Sequence, residues 1–183
     1  MLRPGDQGMR VRLREAALAA ALLLLAACGS SRGTPRGVPG YDAGGGLQLS
    51  CVPFARARSG IQLAGDAWQW WDAAAGRYDR SGAPRPGSVL VFARTPRLPQ
   101  GHLAVVSRVV SAREIRVDHA NWAPGGSASR GRVARDQPVL DVSPRGDWSA
   151  VRVWYPPVRD YGRTVFPTHG FIHPVIRTAA LRE

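Results

Sequence analysis

Between Pro86 and Pro157 the chain is a succession of short apolar runs cut by turn residues, and no other feature limits its fold as much. SVLVFA (88–93) is continuous and apolar, the pattern of a buried strand, and it follows a Pro86-Gly87 turn. HLAVVSRVV (102–110) is a second strand and EIRVDHA (114–120), which alternates, is a third. PVLDVS (138–143) and VRVWY (151–155) complete the set, the last stopped by Pro156-Pro157. Two helices precede them. The first runs from Cys51 to Arg58, with Ser50 as expected N-cap and Pro53 tolerable in the first turn. The second lies between Asp66 as cap and Gly76 as stop, with Ala67, Trp70, Trp71 and Ala74 on one buried stripe. Helices first and antiparallel strands after predict an α+β fold, the N-terminal helices packed on an antiparallel sheet.

The start of the chain bears on its compartment. Arg10, Arg12 and Arg14 precede an apolar run, Ala16 to Leu25, that is too short to span a bilayer as a helix. Leu25-Ala26-Ala27-Cys28 then resembles a bacterial lipobox. Residues 1–27 are therefore expected to be a lipoprotein signal peptide, and Cys28 the lipidated residue that ties the protein to the membrane. Residue 29 is Gly rather than Asp, which implies sorting to the outer membrane in a cell with two membranes. The expected location is the periplasmic face of the cell envelope. Residues 28–45, rich in Gly, Ser, Pro and Arg, read as a flexible linker. A catalytic domain at 46–157 and a C-terminal extension at 158–183 packed on it complete the organisation.

Charge says less. The formal net charge is +12, and every one of the 25 basic residues is Arg. They are scattered from end to end rather than clustered on one helix or face, so no nucleic-acid partner is expected.

The cysteine count says more, because there are only two. With Cys28 committed to lipid, Cys51 has no disulfide partner. An unpaired thiol in an oxidising compartment is buried and inert, or it is used. Cys51 opens a helix, whose N-terminal partial charge is expected to lower the thiol pKa. A thiolate nucleophile needs a histidine partner. His102 stands at the mouth of a strand that can face a helix end. In EIRVDHANW, Ile115, Val117, His119 and Asn121 share one face, and Arg116 and Asp118 share the other, wetter one. With Ser111 to Glu114 as a four-residue hairpin loop, odd positions of the later strand lie beside even positions of the earlier one. His102 then shares a face with His119 and Asn121, not with Asp118. Either could hold the imidazole by its second nitrogen, Asn121 through its amide oxygen and His119 through a neutral ring nitrogen.

Taken together, a Cys opening the first helix, the GDA…WW segment, the GSVLVF strand, GHLAVVS and VDHANW resemble the CHAP family of cysteine, histidine-dependent amidohydrolases and peptidases. The resemblance covers residues 48 to 123. It implies a papain-like α+β fold and cleavage of amide bonds in peptidoglycan by a monomer. Carried over, Cys51 is the nucleophile, His102 the general base and Asn121 the Asn that precedes a Trp. Members often carry Glu or Asp two residues before that Asn, and this chain has His119 there. Backbone N–H groups at the helix start would hold the oxyanion, with Ser50 or Gln48 as a further donor. No cofactor or metal is implied. His169 and His173 lie in FPTHGFIHP, where prolines spoil the helix that a zinc pair at that spacing would need. The tail is expected to be a strap held by Phe166, Phe171 and Ile172. The rival reading is a non-catalytic peptidoglycan-binding or scaffold lipoprotein on the same fold, which gives no reason to keep both Cys51 and His102.

Overall fold

The computed structural model describes residues 41–42, 50–122 and 130–175. The chain divides into two compact units, 1–37 and 38–183, and all described residues belong to the second. The signal-peptide segment, Cys28 and Gln48 lie outside the described residues.

The protein is mostly β. Strands β3 (Val89–Phe92), β4 (His102–Val109), β5 (Glu114–Ala120), β6 (Val133–Asp141), β7 (Ala150–Tyr155) and β9 (Phe166–Ile172) pair antiparallel in the order β6-β5-β4-β3-β9-β7. A further pairing of β7 with β6 closes this path into a barrel-like ring. Three two-residue strands add to it: β1 (Tyr41–Asp42) on β6, β2 (Arg80–Ser81) on β9 and β8 (Asp160–Tyr161) on β7. Tyr41 and Asp42, within the stretch read as linker, are thus strand-paired.

Helix is scarcer than the α+β expectation required. Helix α1 (Cys51–Ser59) forms as anticipated and ends at Gly60, whose φ of 76° puts it in the left-handed region that favours glycine. The expected second helix shrinks to a 3₁₀ turn, Ala67–Gln69, and one turn of α2, Trp70–Ala73. Its start is held by a capping contact and by a neighbouring loop. Gln69 Oε1 accepts the Asp66 N–H at 2.8 Å, and the Trp68 N–H goes to the Gln100 carbonyl at 3.2 Å. The stripe of Ala67, Trp70 and Ala74 is still buried.

Two apolar layers explain the continuous hydrophobicity of β3 and early β4. Leu90, Phe92, Ala104 and Val106 face the barrel interior with Val117, Val139, Trp148 and Phe171. Val89, Val91, Leu103 and Val105 face outward, under Ala55, Leu63 and Trp70. A strand covered on both sides cannot alternate. Truncating a fully buried aromatic such as Trp70 in a layer like this costs about 3–5 kcal/mol.

The tail read as a strap supplies β9, which lies between β3 and β7. Pro167, which has no N–H to give, accepts the Ala93 N–H on its carbonyl at 2.9 Å. The β3–β9 register shifts between Val91 and Phe92, where the facing partners step from Gly170 to Thr168.

The β4–β5 hairpin also departs from expectation. Val110 and Ser111 both donate to the Glu114 carbonyl, at 2.9 and 3.0 Å, so the turn holds only residues 111–113. Near the turn Val109 faces Ile115 and Arg108 faces Arg116. That register would put His102 on the face of Asp118. A bulge at Ser107 shifts it by one residue, so Val106 faces Val117 and Val105 faces Asp118. The bulge returns His102 to the face of His119.

Candidate active site

Cys51 is the first residue of α1, is half-buried and forms no disulfide. Ser50 occupies the N-cap in extended conformation without a side-chain cap bond. Pro53 has no N–H, and Phe54 reaches back to the Ser50 carbonyl at 3.3 Å. The helix therefore starts with the N–H groups of Cys51 and Val52 uncapped by the Ser50 side chain.

Helix α1 lies on β4 and β5. Its far end is tied there by Arg58, whose Nε lies 3.0 Å from Asp118 Oδ2. The other Asp118 oxygen accepts the Asp136 N–H at 2.9 Å, and Arg135 stands 4.0 Å away. The face expected to be wet is instead covered, and Asp118 is buried at 5% exposure. One residue thus joins the helix that bears Cys51 to the strand that bears His119.

Cys51, His102 and Asn121 line one cleft of about 470 Å³. His102 opens β4 directly after Gly101, which adopts a φ of 68°. A Cβ on Gly101 would stand 2.8 Å from the Phe92 carbonyl oxygen and 2.9 Å from the Trp68 nitrogen, so the approach to His102 admits only glycine. The His102 ring is buried against Phe92 and Trp122, with ring centres 5.6 and 4.8 Å away.

The residue that holds His102 is His119. His102 Nε2 and His119 Nδ1 lie 2.9 Å apart. Asn121 turns elsewhere. Its φ is 60°, and its Oδ1 accepts the Gly131 N–H at 2.9 Å, bracing the far side of the cleft. The other His119 nitrogen, Nε2, is buried without a partner among the described residues.

Burial dominates the electrostatics. It drives His102 well below the ordinary histidine range, with the neighbouring His119 adding to the effect. It pushes His119 down to about 3, with the Asp118 carboxylate pulling weakly the other way. Burial also pushes the Cys51 thiol up. The backbone N–H groups of Leu103, Cys51 and Val52 favour the thiolate but do not outweigh it. The lowered thiol pKa expected from the helix start is therefore corrected, because desolvation exceeds the helix-end field. At neutral pH the site rests as a thiol beside two neutral imidazoles.

This resting state has a measurable signature. Alkylation of Cys51 by iodoacetamide should accelerate with each step of pH above about 7, following the rising thiolate fraction. A preformed thiolate–imidazolium pair would instead give a rate that is already level at acid pH, and such a plateau would overturn the neutral resting state.

Sequence reasoning missed four contributors. Leu103 offers its N–H to the thiol, a consequence of packing that no motif records. Asp118 was set aside by strand parity, yet its role is to anchor α1. Arg97 and Arg130 also line the cleft and carry no local sequence signal.

The CHAP domain family model matches residues 40–121. The match takes in α1, β3, β4 and β5 with Cys51, His102, His119 and Asn121, and it ends before β6. No curated protein matches the chain.

Proposed function

We propose that this chain hydrolyses amide bonds in peptidoglycan through Cys51, because residues 40–121 match the model of the CHAP domain, a family of cysteine- and histidine-dependent amidohydrolases and peptidases with peptidoglycan-type substrates. The observation that carries the reading is the shared cleft of Cys51 and His102, with His119 2.9 Å behind the latter.

That contact admits two tautomer pairings, and the mechanism uses one of them. With the His102 Nε2–H donated to His119 Nδ1, the His102 Nδ1 lone pair is free to accept the thiol proton. His119 then carries its own proton on Nε2, the nitrogen buried without a partner. Such a group costs about 1–3 kcal/mol, a penalty borne at a site where tautomer matters.

The reaction proceeds in two halves. As Cys51 Sγ attacks the amide carbonyl carbon, its proton passes to His102, so no thiolate need accumulate. The Cys51 and Val52 N–H groups at the α1 start stabilise the oxyanion. Collapse breaks the C–N bond, His102 gives its proton to the leaving amine, and a thioester remains. Water, deprotonated by His102, attacks the thioester, releasing the acid and restoring the thiol.

The Ala-Ala-Cys28 lipobox supports an envelope location. In this reading Cys28 carries lipid at the periplasmic face, at the outer membrane where two membranes exist, and a monomeric catalytic domain reaches the wall from there.

The test is digestion of purified peptidoglycan followed by mass spectrometry of the fragments. Paired new amine and carboxyl ends at one class of amide bond are expected, and their position identifies the bond. Fragments that carry only cleaved glycosidic bonds, or no fragments, would refute the reading.

A further inference from the structure

Arg97 sits at the tip of a two-residue turn whose frame is rigid. Thr95 and Leu98 exchange both backbone hydrogen bonds, at 3.1 and 3.0 Å, and Thr95 Oγ1 accepts the Leu98 N–H at 3.1 Å. Leu98 is buried in the barrel layer and fixes the turn to the core. The exposed Arg97 side chain has no ion pair or hydrogen bond among the described residues. A cation on a fixed base, with no partner among the described residues, is available to a ligand.

Its position gives that availability a direction. Arg97 lines the Cys51 cleft on one side. On the other it lines a second groove of about 250 Å³, formed with Trp122, Trp154, Tyr155, Arg163 and Phe166. Trp122 is the ring packed 4.8 Å from His102, so this groove ends one side chain from the general base. Among the described residues every wall residue of this groove except Arg97 lies beyond the family match.

Charge along this path is predominantly positive. Among the described residues Asp66 is the one acid in the cleft beside Arg56, Arg97 and Arg130, and the second groove has Arg97 and Arg163 with no acid. Arg56 is already committed, through Nε and one terminal nitrogen, to the Leu63 carbonyl at 2.8 and 2.6 Å. Arg130 lines the cleft but not the groove, so among the described residues Arg97 is the unpaired cation shared by both. An anion is the complementary occupant, and a carboxylate matches the planar guanidinium fork two bonds at a time. The aromatic walls beyond suit the apolar body of the chain that carries it.

We propose that Arg97 is a specificity residue that binds a carboxylate of the substrate's peptide branch and directs that branch into the groove between Trp122 and Tyr155. The proposal rests on the amide-hydrolase reading and assigns it a preference for anionic over amidated peptides. Arg97 acts by binding, so its contribution should appear in KM rather than kcat.

The test uses two stem peptides that differ at one point, the carboxylate nearest the scissile amide being free in one and a carboxamide in the other. Wild type should favour the free acid by about 10- to 100-fold in kcat/KM, the scale of a charge-assisted hydrogen-bonded pair. Arg97→Gln should erase that preference through the KM of the free acid, leaving the carboxamide within about twofold of wild type. Arg97→Lys should recover part of it. The same peptides titrated calorimetrically into Cys51→Ala protein report the preference without turnover. No affinity difference there, or a preference that survives Arg97→Gln, overturns the role of Arg97. Discrimination in binding with no cleavage by wild type would sustain Arg97 and reject the hydrolase reading instead.

Discussion

Cys51→Ala protein should fail to clear peptidoglycan in a zymogram, with turnover at background, while its fold persists. The loss is total in kind because no other group in the cleft can form the acyl intermediate. Ser50 lies beside it but is exposed at the N-cap, and Asn121 is engaged with the Gly131 N–H. Stability should change little, by about 1 kcal/mol or less, because Cys51 is only half-buried in a first turn and alanine suits a helix. An unchanged far-ultraviolet spectrum and melting temperature beside an inactive protein is the expected result. Clearing equal to wild type would remove Cys51 from the chemistry.

His119→Ala should lower kcat by about 100-fold or more, within the range of a general acid–base contribution. Without His119 Nδ1 the His102 ring loses the contact that selects its tautomer, and the wrong tautomer presents N–H to the thiol instead of a lone pair. Asn121→Ala should cost less than about tenfold, because its amide braces the cleft wall rather than the imidazole. A buried His-to-Ala change also leaves a cavity, so a second variant separates position from packing. His119→Asn carries an acceptor oxygen near the place of Nδ1 and should retain activity within about tenfold of wild type. Equal loss in His119→Ala and His119→Asn at matched melting temperatures would mean that His119 acts through packing alone. A larger loss in Asn121→Ala than in His119→Ala would reverse the assignment.

The contrast between these residues shows what was legible in the sequence. Cys51 and His102 were readable from residue type and place, one at a helix start and one at a strand mouth. The parity that excluded Asp118 was correct in outcome, but two deviations cancel to produce it. The turn is one residue shorter than expected, and the bulge at Ser107 adds the shift back. A bulge has no signature in a run such as HLAVVSRVV, where Ser107 reads as an ordinary solvent-facing position. The choice between His119 and Asn121 was equally hidden, because it turns on a positive φ at Asn121 and on a partner ten residues away.

Strands fared better than helices for a related reason. The apolar runs of β3, β4 and β5 are covered on both faces or alternate, and either pattern survives in the sequence. The second helix had the right stripe but forms only as a 3₁₀ turn and a single α turn. The end of the chain was underestimated because Pro167 and Gly170 suggest a broken strand. Both are accommodated: Pro167 serves as an acceptor, and Gly170 has a φ of 124° with Trp71 and the Ser81 carbonyl closing around it. The thiol pKa shows the same limit, since the helix end is visible in the sequence and the burial that outweighs it is not.

The place of β9 also orders events in time. It is made after every other strand of the described ring, yet it lies between β3 and β7, whose facing edges have no other described strand to separate them. Until residues 166–172 have been made, the nascent sheet has two raw edges, and one of them borders the strand that pairs with the His102 strand. Open edges of this kind attract other chains. Cys51, His102 and His119 are all translated before closure is possible, so the proposed catalytic set exists as sequence well before it exists as a site. Assembly of the cleft is thereby coupled to arrival of the final stave, and a chain cut before Phe166 should be caught as an aggregate rather than as a weakly active enzyme.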